Sequence, residues 1–169
     1  MNNKVTFFLL PLLLLFYGCG GGISPEPENP PLQTGFGGTV IFKGTWPENV
    51  RRTHIVAFKN PLNSPSDFNA LNLAFVSDSI PYGVTNIVYS SLINPLLEIK
   101  PGKYSYVAVA QSGTQTISLD RKDWTVVGIF YAVNDTTKPG ELVIPEGKFI
   151  GDVDIICDYN NPPPQPPGG

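Results

Sequence analysis

Short β-branched and aromatic runs, each bounded by Gly, Pro, Asn or Asp, constrain this chain more than any other feature. They fall at residues 39–43, 54–58, 87–90, 96–99, 104–110, 124–132, 141–144 and 153–157, and residues of this kind fit a pleated, half-buried surface. Turn chemistry separates several of them. Lys100-Pro101-Gly102-Lys103 reads as a type II turn, with Pro where φ near −65° is wanted and Gly where φ is positive. Pro145-Glu146-Gly147-Lys148 is a second turn and Lys138-Pro139-Gly140 a third. Only residues 66–72 have the makings of a helix, with Ser66 as N-cap and Asp67 favouring its first turn. Seven or eight short strands with at most one short helix predict an all-β chain folded as an antiparallel β-sandwich.

The ends read differently. Lys4 followed by the apolar run from Phe7 to Tyr17 has the layout of a secretory signal peptide. A bilayer-spanning helix needs about 20 apolar residues, whereas this run contains Pro11 and stops at Gly18. Residues 20–34 are rich in Gly and Pro and poor in apolar side chains, the composition of a spacer whose prolines keep it extended at about 3.1 Å per residue. The division expected is therefore a leader at 1–18, Cys19 with a spacer to residue 35, a folded domain at 36–159, and a proline-rich, unstructured tail at 160–169. The central segment exceeds the roughly 70 to 80 residues below which scaffolds need covalent staples, so one domain suffices.

The segment Phe16-Tyr17-Gly18-Cys19 resembles the lipobox of bacterial lipoproteins, although Phe16 and Tyr17 stand where that motif has an aliphatic and a small residue. The resemblance implies that Cys19 becomes lipid-modified and N-terminal after cleavage. It also implies a bacterial cell-envelope protein anchored to a membrane, the outer membrane by expectation, and facing the periplasm or the exterior. Two or more acyl chains make such a tether lasting where one is marginal. With Cys19 so used, Cys157 has no partner for an intrachain disulfide. It shares a face with Val153, Ile155 and Tyr159 by alternation, which predicts a buried, inert thiol.

A second resemblance covers most of the central segment. Gly38-Thr39-Val40, then residues 54–58, then Leu97-Glu98-Ile99-Lys100-Pro101-Gly102-Lys103-Tyr104 leading into Val107-Ala108-Val109, and finally Gly151-Asp152-Val153-Asp154-Ile155 are similar to the carboxypeptidase regulatory-like and transthyretin-like β-sandwich domains. Their recurring feature is a strand, a Pro-Gly turn and a Tyr-led strand. The resemblance implies a module that supports assembly or binding and transfers no active-site residue.

Chemistry has few places to reside. The formal net charge of −3 and the lack of a basic cluster beyond Arg51-Arg52 and Arg121-Lys122 argue against a nucleic-acid partner. His54 is the only histidine, so any Ser-His-Asp, Cys-His or two-histidine zinc arrangement must be built on it. No Gly-x-Ser-x-Gly or His-Glu-x-x-His motif occurs. By alternation His54, Val56 and Phe58 share a face, and a structurally satisfied histidine is the expectation. Asp152, Asp154 and Asp158 lie opposite Val153 and Cys157, a face that could gather carboxylates for calcium but that Ile156 interrupts, so a solvated charge row is expected instead of a metal site. Trp46 and Trp124, with Tyr82 and Tyr131, supply flat faces for stacking on sugar rings or Pro-rich peptides.

These observations predict a lipid-anchored, non-enzymatic binding or assembly accessory of the envelope with no cofactor, whose partners are the membrane and an envelope protein or glycan. The alternative is a carbohydrate-binding lipoprotein using Trp46 and Trp124, and the third is an enzyme with His54 as base.

Overall fold

A computed structural model describes residues 33–169, so the leader, Cys19 and most of the spacer lie outside the described residues. The described chain is almost wholly β. In chain order its strands are β1 Gly35–Lys43, β2 Arg52–Phe58, β3 Leu73–Val76, β4 Asn86–Ser90, β5 Gly102–Tyr104, β6 Tyr106–Ser112, β7 Thr125–Ile129, β8 Tyr131–Ala132, β9 Asp135–Pro139, β10 Leu142–Ile144, β11 Phe149–Ile150 and β12 Ile155–Asp158. Single 3₁₀ turns occur at Pro65–Asp67 and Arg121–Asp123. None of the described helices is long and apolar enough to cross a membrane.

Eight strands form the main sheet, with β4, β1, β12, β7, β6, β2 and β3 side by side and β11 continuing the line of β12 along β1. The ladders are antiparallel except those of β1 with β11 and β12, which are parallel. β1 thus serves three partners. Gly37 and Gly38 permit this crowding: a Cβ on Gly38 would lie 2.5 Å from the Val153 carbonyl oxygen, and one on Gly37 would lie 2.5 Å from that of Tyr89. Val153 N–H donates to the Gly37 carbonyl at 3.0 Å, and Tyr89 Oη donates to the Val153 carbonyl at 2.7 Å, which fixes the 151–154 link between β11 and β12.

The sheet curls over its larger core. Val40, Phe42, Ile55, Ala57, Val107, Val109, Val127, Ile155 and Cys157 line the inside, and the small β5–β10 sheet closes over them through Tyr104, Leu142 and Ile144. The result is sandwich-like. Curling brings Phe36 on β1 to 5.0 Å from Phe75 on β3, edge to face. β6 is buried along its whole length because a smaller cluster, including Phe58, Leu62, Ala108, Val126 and Ile129, covers its other side. A strand covered on both faces cannot show clean alternation.

Several local expectations change. Residues 96–99 form only a bridge between Leu97 and Val76. The helix expected over 66–72 is reduced to Pro65–Asp67, capped by Ser64 rather than Ser66, and the Asp67 carboxylate accepts from the backbone N–H groups of Asn63 and Ser64. The Pro145–Lys148 turn forms, with Gly147 at φ 64° and Lys148 N–H donating to the Pro145 carbonyl. Gly102 instead opens β5 at φ 159°, and Tyr104 Oη donates to the Lys100 carbonyl across that corner. Pro139 lies in β9, and the reversal sits earlier, at Val133-Asn134, where Asn134 takes φ 65°. Residues 160–169, expected to be unstructured, pack back on the domain with Pro163 and Pro166 buried.

Phe36→Ala should lower the unfolding free energy by about 3 to 5 kcal/mol, read as a lower urea midpoint at unchanged m-value. Val88→Ala, at a side chain 79% exposed on β4, should stay within about 0.5 kcal/mol.

Candidate functional site

On β2 the side chains of His54, Val56 and Phe58 alternate with Ile55 and Ala57, so they face away from the large core. That outer face holds an apolar cavity of about 60 Å³. Its floor is His54, Val56 and Phe58 with Ala110 of the neighbouring β6; Leu73 and Val76 of β3 form one wall. Phe68 and Asn69, just after the Pro65–Asp67 turn, and Ile117, Ser118, Leu119 and Trp124 complete the enclosure. Ile117 and Leu119 belong to a segment without regular structure and are themselves exposed.

His54 is buried at this floor. A carbonyl oxygen can only accept, so the 2.9 Å contact between His54 Nδ1 and the Ser77 carbonyl places the proton on Nδ1. Nε2 is then a bare acceptor, and it has no partner among the described residues. Burial pulls the imidazole pKa below its ordinary 6.5; the Ser77 carbonyl acts in the opposite sense, and Arg52 adds to the lowering. Ser77 Oγ meanwhile accepts from Ile55 N–H and donates to the Asp78 carbonyl, tying the strand to the loop after β3.

Among the described residues no acid–base constellation forms around this ring. Ser118 Oγ, in the same cavity, donates to Asp123 Oδ2 at 2.5 Å and makes no hydrogen bond to His54. The His54 ring meets Trp124 edge to face, with centroids 6.1 Å apart. Cys157 is buried in the large core, where burial pushes its thiol up to about 12. Gly128 on β7 presses against it, since a Cβ there would sit 2.6 Å from Cys157 Sγ.

The residues read as stacking platforms are not brought together. Trp124 is 8% exposed, its Nε1 donating to the Ser118 carbonyl, so it lines the cavity and offers no open ring face. Trp46 packs among Phe42, Tyr82 and Tyr159 and donates from Nε1 to the Val84 carbonyl. In that cluster Tyr82 is the member most open to solvent, at 55%. Tyr131 lies in the hairpin of β8 and β9. Two of the acidic row are engaged with backbone, since Asp154 Oδ1 accepts from Thr39 N–H and Asp158 Oδ1 accepts from Asn160 N–H, while Asp152 stands exposed in the link before β12 at φ 58°. Among the described residues no group of three or more His, Cys, Asp or Glu side chains could hold a metal ion. Cys19 lies outside the described residues.

Phe68, Ile117 and Leu119 belong to the cavity but carry no strand or site signal, and the helix expected around Phe68 does not point to one. Their one trace in the sequence is apolar character inside otherwise polar stretches, Ser66-Asp67-Phe68-Asn69 and Thr116-Ile117-Ser118-Leu119-Asp120. No protein-family model matches the chain, and neither does any curated protein or solved structure.

The buried imidazole has a consequence for stability. Below pH 6.5 the unfolded chain takes up a proton that the folded chain refuses, so stability should fall as pH drops from 6.5 toward the lowered folded-state value. The slope should approach about 1.4 kcal/mol per pH unit at most. Urea unfolding between pH 7.5 and about 5 measures it, and His54→Gln should remove that component while leaving the carboxylate-driven loss at lower pH.

Proposed function

We propose that this chain is a lipid-anchored, non-catalytic module of the bacterial cell envelope, tethered through Cys19, that binds an apolar group of an envelope partner. The observation that carries the reading is the cavity on the outer face of β2 and β6, with Ile117 and Leu119 exposed at its edge. Small-molecule sites usually occupy about 300 to 1,000 Å³. A cavity of about 60 Å³ instead suits the end of one aliphatic or aromatic side chain presented by another protein, the kind of buried anchor on which interface energies concentrate. Non-catalytic action is supported by the site itself: the one imidazole is held neutral, and the neighbouring serine hydroxyl is given to Asp123. Glycan stacking, the alternative, would have to rest on Trp46 and Tyr82, because the Trp124 ring is enclosed.

Affinity capture from gently solubilised envelopes, after brief crosslinking, should recover a defined partner protein. Ile117→Ser with Leu119→Ser, at exposed positions, should reduce that recovery at least tenfold without lowering the melting temperature. Cys19→Ser should move the protein from the membrane fraction to the soluble fraction while purified samples keep their partner affinity. Partner recovery unaffected by the double substitution would overturn the cavity reading, and membrane retention of Cys19→Ser would overturn the tether.

A further inference from the structure

The proline-rich segment 162–167 is recognised, not merely laid down. After β12, Asn161 N–H donates to the Asp158 carbonyl at 3.1 Å and turns the chain back toward β7. Pro163 and Pro166 are then buried while Pro162, Pro164 and Pro167 are exposed. A period of three is that of polyproline II, which turns one face of the segment to the domain. Gln165 lies between them. Its Oε1 accepts from Val126 N–H at 2.9 Å and its Nε2 donates to the Val126 carbonyl at 2.7 Å. A neighbouring strand would make that pair of bonds, but β12 pairs with β7 only at Ile129 and Gly128, so the glutamine amide continues the ladder where the strand has left it.

Arg121 holds the next residue. This buried side chain donates from Nη2 to the Pro166 carbonyl at 3.0 Å and from Nη1 to the Trp124 carbonyl, and its guanidinium stands 5.8 Å from the Phe68 ring centroid. Neither ion pair among the described residues involves it. Beyond Pro167, Gly168 packs against Pro65, where a Cβ would come within 2.9 Å of the proline ring. The contacts therefore read a sequence: a buried proline, a glutamine two residues on, and a second buried proline.

We propose that this groove, between β7, Arg121 and Pro65–Phe68, is a reader of extended proline-rich peptides with a glutamine between prolines. In this chain residues 163–166 occupy it in cis, and a segment of the same chemistry on another envelope protein is its partner in trans. Nothing in the recognition requires the peptide to be continuous with the domain, because every polar contact is made by one glutamine amide and one proline carbonyl. The inference rests on the proposed envelope location for the partner's compartment, but not on the apolar cavity that the groove borders at Phe68. The chain's own segment competes at an effective concentration in the millimolar range, so a trans ligand is excluded until the cis contacts are weakened.

The test uses the full chain with Gln165→Ala as receptor and a fluorescein-labelled peptide, Asn-Asn-Pro-Pro-Pro-Gln-Pro-Pro-Gly-Gly, as probe in fluorescence anisotropy. Saturable binding is expected, at least about tenfold tighter than to the unsubstituted chain, because losing two hydrogen bonds weakens the cis competitor. The same probe carrying alanine at its glutamine should bind the receptor about tenfold more weakly, a comparison that does not depend on the receptor variant's stability. No saturable binding to Gln165→Ala, or equal binding of the two probes, would overturn the proposal. Concentration-dependent dimers of the unsubstituted chain in sedimentation velocity, abolished by Gln165→Ala, would make the occupant a second copy and overturn the assignment to a different partner.

Discussion

Phe36 on β1 and Phe75 on β3 meet edge to face although β12, β7, β6 and β2 lie between their strands, and a sheet whose distant strands touch in this way has to be curled. Tyr89 of β4 approaches Phe36 from the other side, with centroids 5.9 Å apart, so the edge strand is drawn into the same cluster. Such pairs contribute about 0.5 to 1.5 kcal/mol beyond the area they bury. Their larger effect here is geometric. Once the ends of the sheet converge, its concave side is a closed volume that the two short strands of the β5–β10 sheet can cover, and the convex side is left to segments that are not sheet at all.

That convex side explains where the candidate sites lie. β6 cannot leave its outer face to water, since Tyr106, Ala108 and Ala110 are buried there. Residues 62–73 and residues 117–124 share the covering, and residues 163–166 lie beside them against β7 and Arg121. Irregular segments fill a surface less completely than strands do, because their backbone groups must find hydrogen bonds one by one. The Asn72 side chain illustrates the cost: it donates to the Asp67 carbonyl and accepts from Asn60 N–H to hold a single loop. An apolar cavity at the seam between such segments is an expected product of this construction, and the proline groove borders it through Phe68 and Trp124.

The sequence carried the strands better than the cover. Six of the eight runs lie within β1, β2, β4, β7 with β8, β10 and β12 or overlap them, and the 104–110 run is split between β5 and β6 at Ser105, whose N–H donates to the Phe58 carbonyl. Such runs are legible because alternation and β-branching are local. β3 escaped notice since Leu73-Ala74-Phe75-Val76 is short and follows a polar stretch. β11 was invisible because Phe149-Ile150 becomes a strand only where Gly35 and Phe36 lie beside it. The cavity depended on residues far apart in the chain, so Trp124 could be read as aromatic surface but not as a wall. The order in residues 160–169 could not be anticipated from composition, because it rests on Val126, paired with Ala110 of β6 on one side, lacking a β12 partner on the other.

Two buried bases on the convex side show why its partners differ. His54 can shed its second proton, so burial leaves it a neutral ring with one bond to Ser77. Arg121 cannot follow that route; burial lowers its pKa, yet a guanidinium stays charged in proteins and must be given oxygen atoms. A proline-rich segment is suited to that need. Its residues have carbonyl groups without N–H donors, so they supply acceptors to a side chain that has only donors and bring no buried N–H of their own to satisfy. The side of Val126 that β12 leaves unpaired has the opposite requirement, one donor and one acceptor together. Glutamine has both on one planar amide, and proline has only one. The order Pro-Pro-Gln-Pro at residues 163–166 thus matches an edge that wants two kinds of bond beside a cation that wants one.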